Sequence, residues 1–245
     1  MIDRQLALAA SREEVRQLAR QGLSEVTPSR RDFALYVATQ KQDLAVIARL
    51  SRVHEPSATA RLVEYARACD EAEVAALAVV TGSGGCSMQD MAAIANATSA
   101  PILRDAFTLH PSQLYFARLH GADAALLPWA DLDAATLHEL LAVASSLHMA
   151  AVVELANEGD VEAALGFPHV VIGLRCADDH GALDVERTRQ LAQRVPRQSA
   201  VIALPDVSSP AQCAALRGCC DAVMVGDALR QGDEVAAALR RLLGC

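Results

Sequence analysis

The chain has 245 residues, 52% of them hydrophobic and 21% charged, so it is long and apolar enough to bury a full-sized core. Its net charge of −8 and its lack of Lys/Arg runs argue against a nucleic-acid or anionic-membrane surface. The opening Met1-Ile-Asp-Arg-Gln5 carries charges, and no uncharged apolar run approaches membrane-spanning length, so neither a signal peptide nor a membrane span is expected.

Residues 1–43 precede the first strand and read as a helical extension, with helices over Ser11–Arg20 and Arg31–Ala38. Strand candidates follow at Leu44–Leu50, Ala76–Thr81, Pro101–Arg104 and Ala124–Leu127, then at Ala150–Glu154, His169–Leu174, Ser199–Leu204 and Asp221–Gly226. Between them lie helical patterns such as Thr59–Cys69, Ser112–Leu119, Leu132–Ser146, Asp184–Arg194 and Gly232–Leu243. Apolar strands alternating with helices imply a parallel sheet, and right-handed crossovers let eight such units close into a (β/α)8 TIM barrel. A doubly wound open sheet would carry a Gly-rich phosphate turn after its first strand, which Arg49-Leu-Ser-Arg-Val-His54 does not supply. The expectation is one domain, the extension over 1–43 and the barrel over 44–245.

Seven cysteines, two of them adjacent at Cys219 and Cys220, show no zinc-type pairing; reduced, buried thiols in a cytoplasmic protein are expected. No His, Cys, Asp or Glu group has metal-ligand spacing, and neither a metal nor another cofactor is expected.

Pro101-Ile-Leu-Arg-Asp-Ala-Phe107, followed by His110-Pro-Ser-Gln-Leu-Tyr115 and Gly121-Ala-Asp-Ala124, resembles the third strand and following helix of indole-3-glycerol phosphate synthases. These are (β/α)8-barrel enzymes of tryptophan biosynthesis. The likeness runs along nearly the whole chain. Pro28-Ser-Arg-Arg-Asp-Phe33 is similar to the family's segment before the first strand. Val46-Ile-Ala-Arg-Leu-Ser51 with Glu55-Pro-Ser57 is similar to the first strand and its loop. Leu77-Ala-Val-Val-Thr81, Val153-Glu154, Val171-Ile-Gly-Leu174 and Ala222-Val-Met-Val-Gly-Asp-Ala-Leu229 resemble strands two, five, six and eight.

The resemblance implies a decarboxylating ring closure, a carbon–carbon lyase reaction on a phosphorylated aromatic substrate, with an N-terminal extension capping the barrel. It also locates the departures. The family's general-acid lysine is Asp105, and its first-strand glutamate and lysine are Arg49 and Ser51. The amides after strand six become Arg175-Cys-Ala-Asp178. The phosphate-binding glycine after strand seven is Asp206, while Glu154 and Gly226 keep their identity. Arginine does not release a proton near neutral pH, so Arg49 cannot replace a lysine acid. Asp105 serves as an acid only if burial or a neighbouring carboxylate raises its pKa.

The expected site comprises Glu154 and Asp105 as catalytic groups, with Arg49, Arg104, Arg175, Gly226 and Asp227 binding a small ligand, anionic or phosphorylated. Arginines so placed can grip a carboxylate, and N–H groups after Gly226 can cradle an anion. Equally, Arg49–Asp105 and Arg175–Glu154 can simply pair with each other. His54 reads as a solvated loop residue or an acid–base group, and Cys176 as a buried thiol or a nucleophile. Trp129 reads as a pocket wall or as packing, and His110, His120 and His148 as structural. Three functions stay open: a repurposed enzyme, a non-catalytic pseudoenzyme with a protein partner, and a slow synthase.

Overall fold

The computed structural model describes residues 4–20, 26–38, 44–52, 59–82, 85–167, 170–178, 180–230 and 234–244. His54, the Glu55-Pro-Ser57 segment, His169 and Gly232 lie outside them, as do Ser83 and Gly84 of the Gly82–Ser87 loop.

Eight parallel strands close into a barrel in sequence order, with β8 returning to β1. They are β1 (Ala45–Leu50), β2 (Ala76–Val80), β3 (Ile102–Phe107), β4 (Ala124–Pro128), β5 (Ala150–Leu155), β6 (Val170–Leu174), β7 (Val201–Ala203) and β8 (Ala222–Val225). Successive side chains of a strand point to opposite faces, so each strand feeds two layers. One set, including Ala45, Ile47, Ala78, Leu103, Leu126, Val152, Ile202 and Met224, packs inside the barrel. The other, including Val46, Ala48, Val79, Ile102, Leu127 and Ile172, meets the surrounding helices. Small interior residues keep the lumen narrow. Gly173 shows how tight it is, because a Cβ there would lie 2.8 Å from the Leu204 side chain.

The helices agree with the expected alternation. Sequence periodicity had singled out α3 (Thr59–Glu71), α5 (Pro111–Leu119), α6 (Ala134–Ser146), α8 (Val185–Ala192) and α10 (Val235–Leu243). It had not singled out α4 (Met88–Ala97), α7 (Glu158–Ala164) and α9 (Pro210–Leu216). Those three start at Ser87, Asn157 and Ser209, whose side chains each accept from the backbone N–H three residues on. Two of the three are only 7 residues long, too short to display a 3.6-residue period.

The extension divides between the two ends of the barrel. Residues 26–38 close the N-terminal end. There Ser29 donates to Asp123 at 2.6 Å, Arg31 pairs with the same carboxylate at 2.8 Å, and α2 (Phe33–Ala38) inserts Phe33 and Val37 into the interior cluster. The first helix, α1 (Arg4–Leu18), starts earlier than the expected Ser11 because its first turns are held by the barrel itself. Leu8 joins the interior cluster, and Arg4 and Glu14 pair with barrel residues, so α1 runs across the C-terminal mouth from β5 to β3.

Candidate ligand site at the barrel mouth

Barrels of this kind carry their reactive groups at the C-terminal strand ends, because side chains and loops from many strands converge there above a packed core. Alternation along the strands brings Arg49, Asp105, Glu154, Arg175 and Gly226 to that face from β1, β3, β5, β6 and β8. At Asp105 the β3–β4 register slips between Arg104 and Phe107, an irregularity that re-aims side chains where the pairing lapses.

Two ion-pair groups fill the mouth. In the first, Arg49 Nε donates to Asp105 Oδ2 at 2.7 Å and Arg49 Nη1 donates to Asp206 Oδ2 at 3.1 Å. Asp105 holds the guanidinium above its ordinary pKa, against the opposing effect of burial, and Asp206 adds to it. Burial pushes Asp206 above the usual carboxylate range, with Arg49 working in the opposite direction. Asp206 lies against Gly226: a Cβ on that glycine would meet Asp206 Oδ2 at 3.0 Å.

In the second group, Arg175 Nε donates to Glu154 Oε2 at 2.6 Å, while Arg4 of α1 pairs with Oε1 of the same carboxylate. Arg4 also reaches Asp131, in the turn after β4, at 2.5 Å and lies 4.9 Å above the centre of the Phe107 ring. Glu154 is buried, and each of its oxygens already accepts a guanidinium N–H. Each oxygen keeps a further lone pair, so the two arginines fix the orientation of the carboxylate without exhausting it as an acceptor.

The structure places Arg104 apart from these groups. Its side chain shares the helix-facing side of β3 with Ile102 and is buried, donating to Glu14 at 2.6 and 2.8 Å and to Thr81 at 3.0 Å. Gln113 donates to the same Glu14 at 2.5 Å, so Arg104 anchors α1. Asp227, itself exposed, begins a short turn directly after Gly226, beside Asp206.

The secondary candidates are placed plainly. Cys176 is buried, and that burial raises its thiol pKa, which disfavours the nucleophilic thiolate. His110 caps α5 by accepting from the Ser112 N–H at 3.2 Å, and the His120 ring lies 2.8 Å from the Phe116 carbonyl oxygen. Trp129 packs edge-on to Phe167 with ring centres 5.7 Å apart. Among the described residues no group of three His, Cys, Asp or Glu is arranged to hold a metal ion, and no helix is long and apolar enough to cross a membrane. A groove of about 740 Å³ lies at the opposite end, between residues 29–34, α6 and Phe167, away from the charged groups.

Sequence reasoning missed Arg4 and Asp131 as members of the site. Neither lies at a strand end in the expected sense, and only the path of α1 brings Arg4 there. Asp206 was visible as a changed position, but its contact with Gly226 depends on three-dimensional packing.

A closed parallel barrel of eight strands with helices between them is a (β/α)8 barrel, here with paired charges at its C-terminal mouth. The model described as indole-3-glycerol phosphate synthase matches residues 1–242, and the chain belongs to the indole-3-glycerol phosphate synthase family. It is 39% identical over 155 residues to the Mycobacterium leprae indole-3-glycerol phosphate synthase, a match spanning 62% of this chain and 57% of that one. It is 33% identical over 151 residues to the Salmonella typhi tryptophan biosynthesis protein TrpCF, spanning 61% of this chain and 33% of that one. The matched part thus falls short of two thirds of either relative.

Among solved structures, a 3-hexulose-6-phosphate synthase is similar with a TM-score of 0.66 at 16% identity, over 82% of this chain and 98% of that one. A mutant tryptophan synthase alpha-subunit from Pyrococcus furiosus gives 0.60 at 14% identity, over 84% and 99%. At such identities these similarities concern the fold alone.

Proposed function

We propose that the chain is a repurposed member of its family, binding a small molecule at the barrel mouth without performing the decarboxylating ring closure. The carrying observation is the Asp206 carboxylate packed on Gly226 and tied to Arg49. The resemblance puts a phosphate-binding glycine at position 206, and a carboxylate there repels a phosphate dianion. The name of its curated relatives, indole-3-glycerol phosphate synthase, supports a phosphorylated ligand; the local charge at Gly226 argues for a ligand that presents no phosphate there.

The chemistry is altered in the same sense. Ring closure needs a positioned acid at the ketone oxygen, and losing such a group commonly costs about 10²- to 10⁴-fold. At the lysine's position stands Asp105, whose Oδ2 accepts from Arg49. In this reading Asp105 and Glu154 remain the groups that face the ligand, held in place by Arg49 and Arg175. Burial holds the Asp206 pKa above that of an ordinary aspartate, against the effect of Arg49. A cytoplasmic location belongs to the same proposal, supported by free cysteines at 69, 86, 176, 213, 219 and 220.

A second reading, a non-catalytic barrel that binds a protein partner, is favoured by the two arginines that tie both oxygens of Glu154. A slow synthase is the third. Expression in a tryptophan auxotroph lacking the synthase separates the third from the other two: no rescue is expected, and growth without tryptophan would overturn the proposal in favour of the third reading.

A further inference from the structure

Arg4 occupies the mouth in the manner of a ligand. Its guanidinium is set between two carboxylates, Glu154 on β5 and Asp131 in the turn after β4, and over the face of an aromatic ring, Phe107. Opposed carboxylates and an aromatic face are the parts from which sites for organic cations are made. Burial works against the charge on Arg4, yet Glu154 and Asp131 outweigh it and raise its pKa.

The helix that delivers Arg4 is weakly held. Of the 15 residues in α1 only Leu8, Ser11 and Leu18 are buried, and Leu6 is 57% exposed. Its other fastenings are polar: Arg4 at one end, and towards the other Glu14 on Arg104 and Gln113, with Gln113 also donating to the Ser11 carbonyl oxygen at 3.4 Å. A segment with so little buried apolar surface opens at low cost compared with the barrel. Removing Arg4 would expose Glu154 Oε1, Asp131 and the Phe107 ring together, while Arg175 keeps its bond to Oε2.

We propose that this is a binding site for a small amidinium, guanidinium or amine, and that Arg4 is a tethered competitor which the ligand displaces. The inference rests on the mouth having left the synthase reaction, and it names the class of ligand that replaced the family's. Because the competitor is attached, its effective concentration is high, on the order of millimolar for a short tether, so the intact chain binds such ligands weakly until α1 lifts. The apparent dissociation constant equals the intrinsic one divided by the fraction of molecules with α1 open.

The test is calorimetric titration of benzamidine and of butylguanidine into the full chain at low salt. Arg4→Ala is expected to bind at least about tenfold more tightly than wild type. Adding Asp131→Asn or Glu154→Gln to Arg4→Ala is expected to remove that gain. Asp131 is exposed, so the first double variant serves even where Glu154→Gln disturbs folding. In wild type, saturating benzamidine is expected to speed amide exchange in residues 4–18. Equal affinity of wild type and Arg4→Ala, absence of binding by both, or retention of the gain in both double variants would each overturn the proposal. Rescue of the auxotroph is a separate readout and tells against the functional reading without involving amidines.

Discussion

Arg49 donates from Nε to Asp105 at 2.7 Å, and the same guanidinium donates from Nη1 to Asp206 at 3.1 Å. One cation from β1 thus holds two carboxylates, from β3 and from the segment after β7, at the places where the family resemblance puts a lysine acid and a phosphate-binding glycine. These three side chains form one connected charge group at the mouth.

Removing the central cation leaves Asp105, 6% exposed, beside Asp206 with nothing between them. Breaking a buried pair by deleting one partner costs roughly 3–5 kcal/mol, because the remaining charge stays desolvated. Arg49→Met is therefore expected to lower stability by about that amount in urea unfolding. The triple change Arg49→Met with Asp105→Asn and Asp206→Asn is expected to recover most of it. A loss in the single variant below about 1 kcal/mol would show that the pairing is a weak surface contact.

At the other end of the barrel, the fully buried Asp123 accepts from Ser29, from the Ile102 N–H at 2.9 Å and from Arg118 at 2.6 Å, and it pairs with Arg31. Asp123→Ala takes the acceptor from the Ile102 N–H and the Ser29 hydroxyl and the counter-charge from Arg31 and Arg118, which keep only backbone carbonyl partners. A drop of roughly 3–5 kcal/mol is expected, read as a lower melting temperature. A melting temperature equal to wild type would refute the role of Asp123 in joining the extension to the barrel.

Two carboxylates give opposite pH dependences. For Asp90, burial works to raise the pKa, but bonds from Arg52, Thr59 and Ser87 prevail and hold it below the carboxylate range. Its contribution is present above the unfolded pKa and is lost as pH falls below about 4. Asp206 is raised in the folded state, so folding favours its protonated form; that contribution is present in acid and is lost as pH rises through the folded pKa. Urea midpoints between pH 2 and 7 are expected to show Asp90→Asn weakest, relative to wild type, at neutral pH. Asp206→Asn is expected to gain on wild type as pH rises. Differences constant across that range would contradict both assignments.

Much of the fold was legible because the motifs that carry the family likeness are also the ones that hold the barrel together. Pro28–Phe33 and Gly121–Ala124 meet at Asp123. Gly121 itself has a φ of +94°, and a Cβ there would strike the Ala95 side chain at 2.3 Å. The pairings Arg49–Asp105 and Arg175–Glu154 were legible too, because strand alternation and the resemblance together bring those residues to one face. Arg104 was not, since its neighbour Asp105 took the inward position and left it facing α1. Arg4 was invisible for another reason: no local pattern says where a helix outside the barrel repeat will lie.

The most direct test of the proposed change at the mouth is titration of inorganic phosphate followed by phosphorus NMR and calorimetry, on wild type and on Asp206→Gly. The variant is expected to uncover the N–H groups around Gly226 and to bind phosphate at least about tenfold more tightly than wild type, a change of roughly 1.4 kcal/mol. Wild type is expected to show no saturable phosphate binding in the millimolar range. Saturable wild-type binding that Asp206→Gly leaves unchanged would contradict the claim that Asp206 stands where the phosphate would sit.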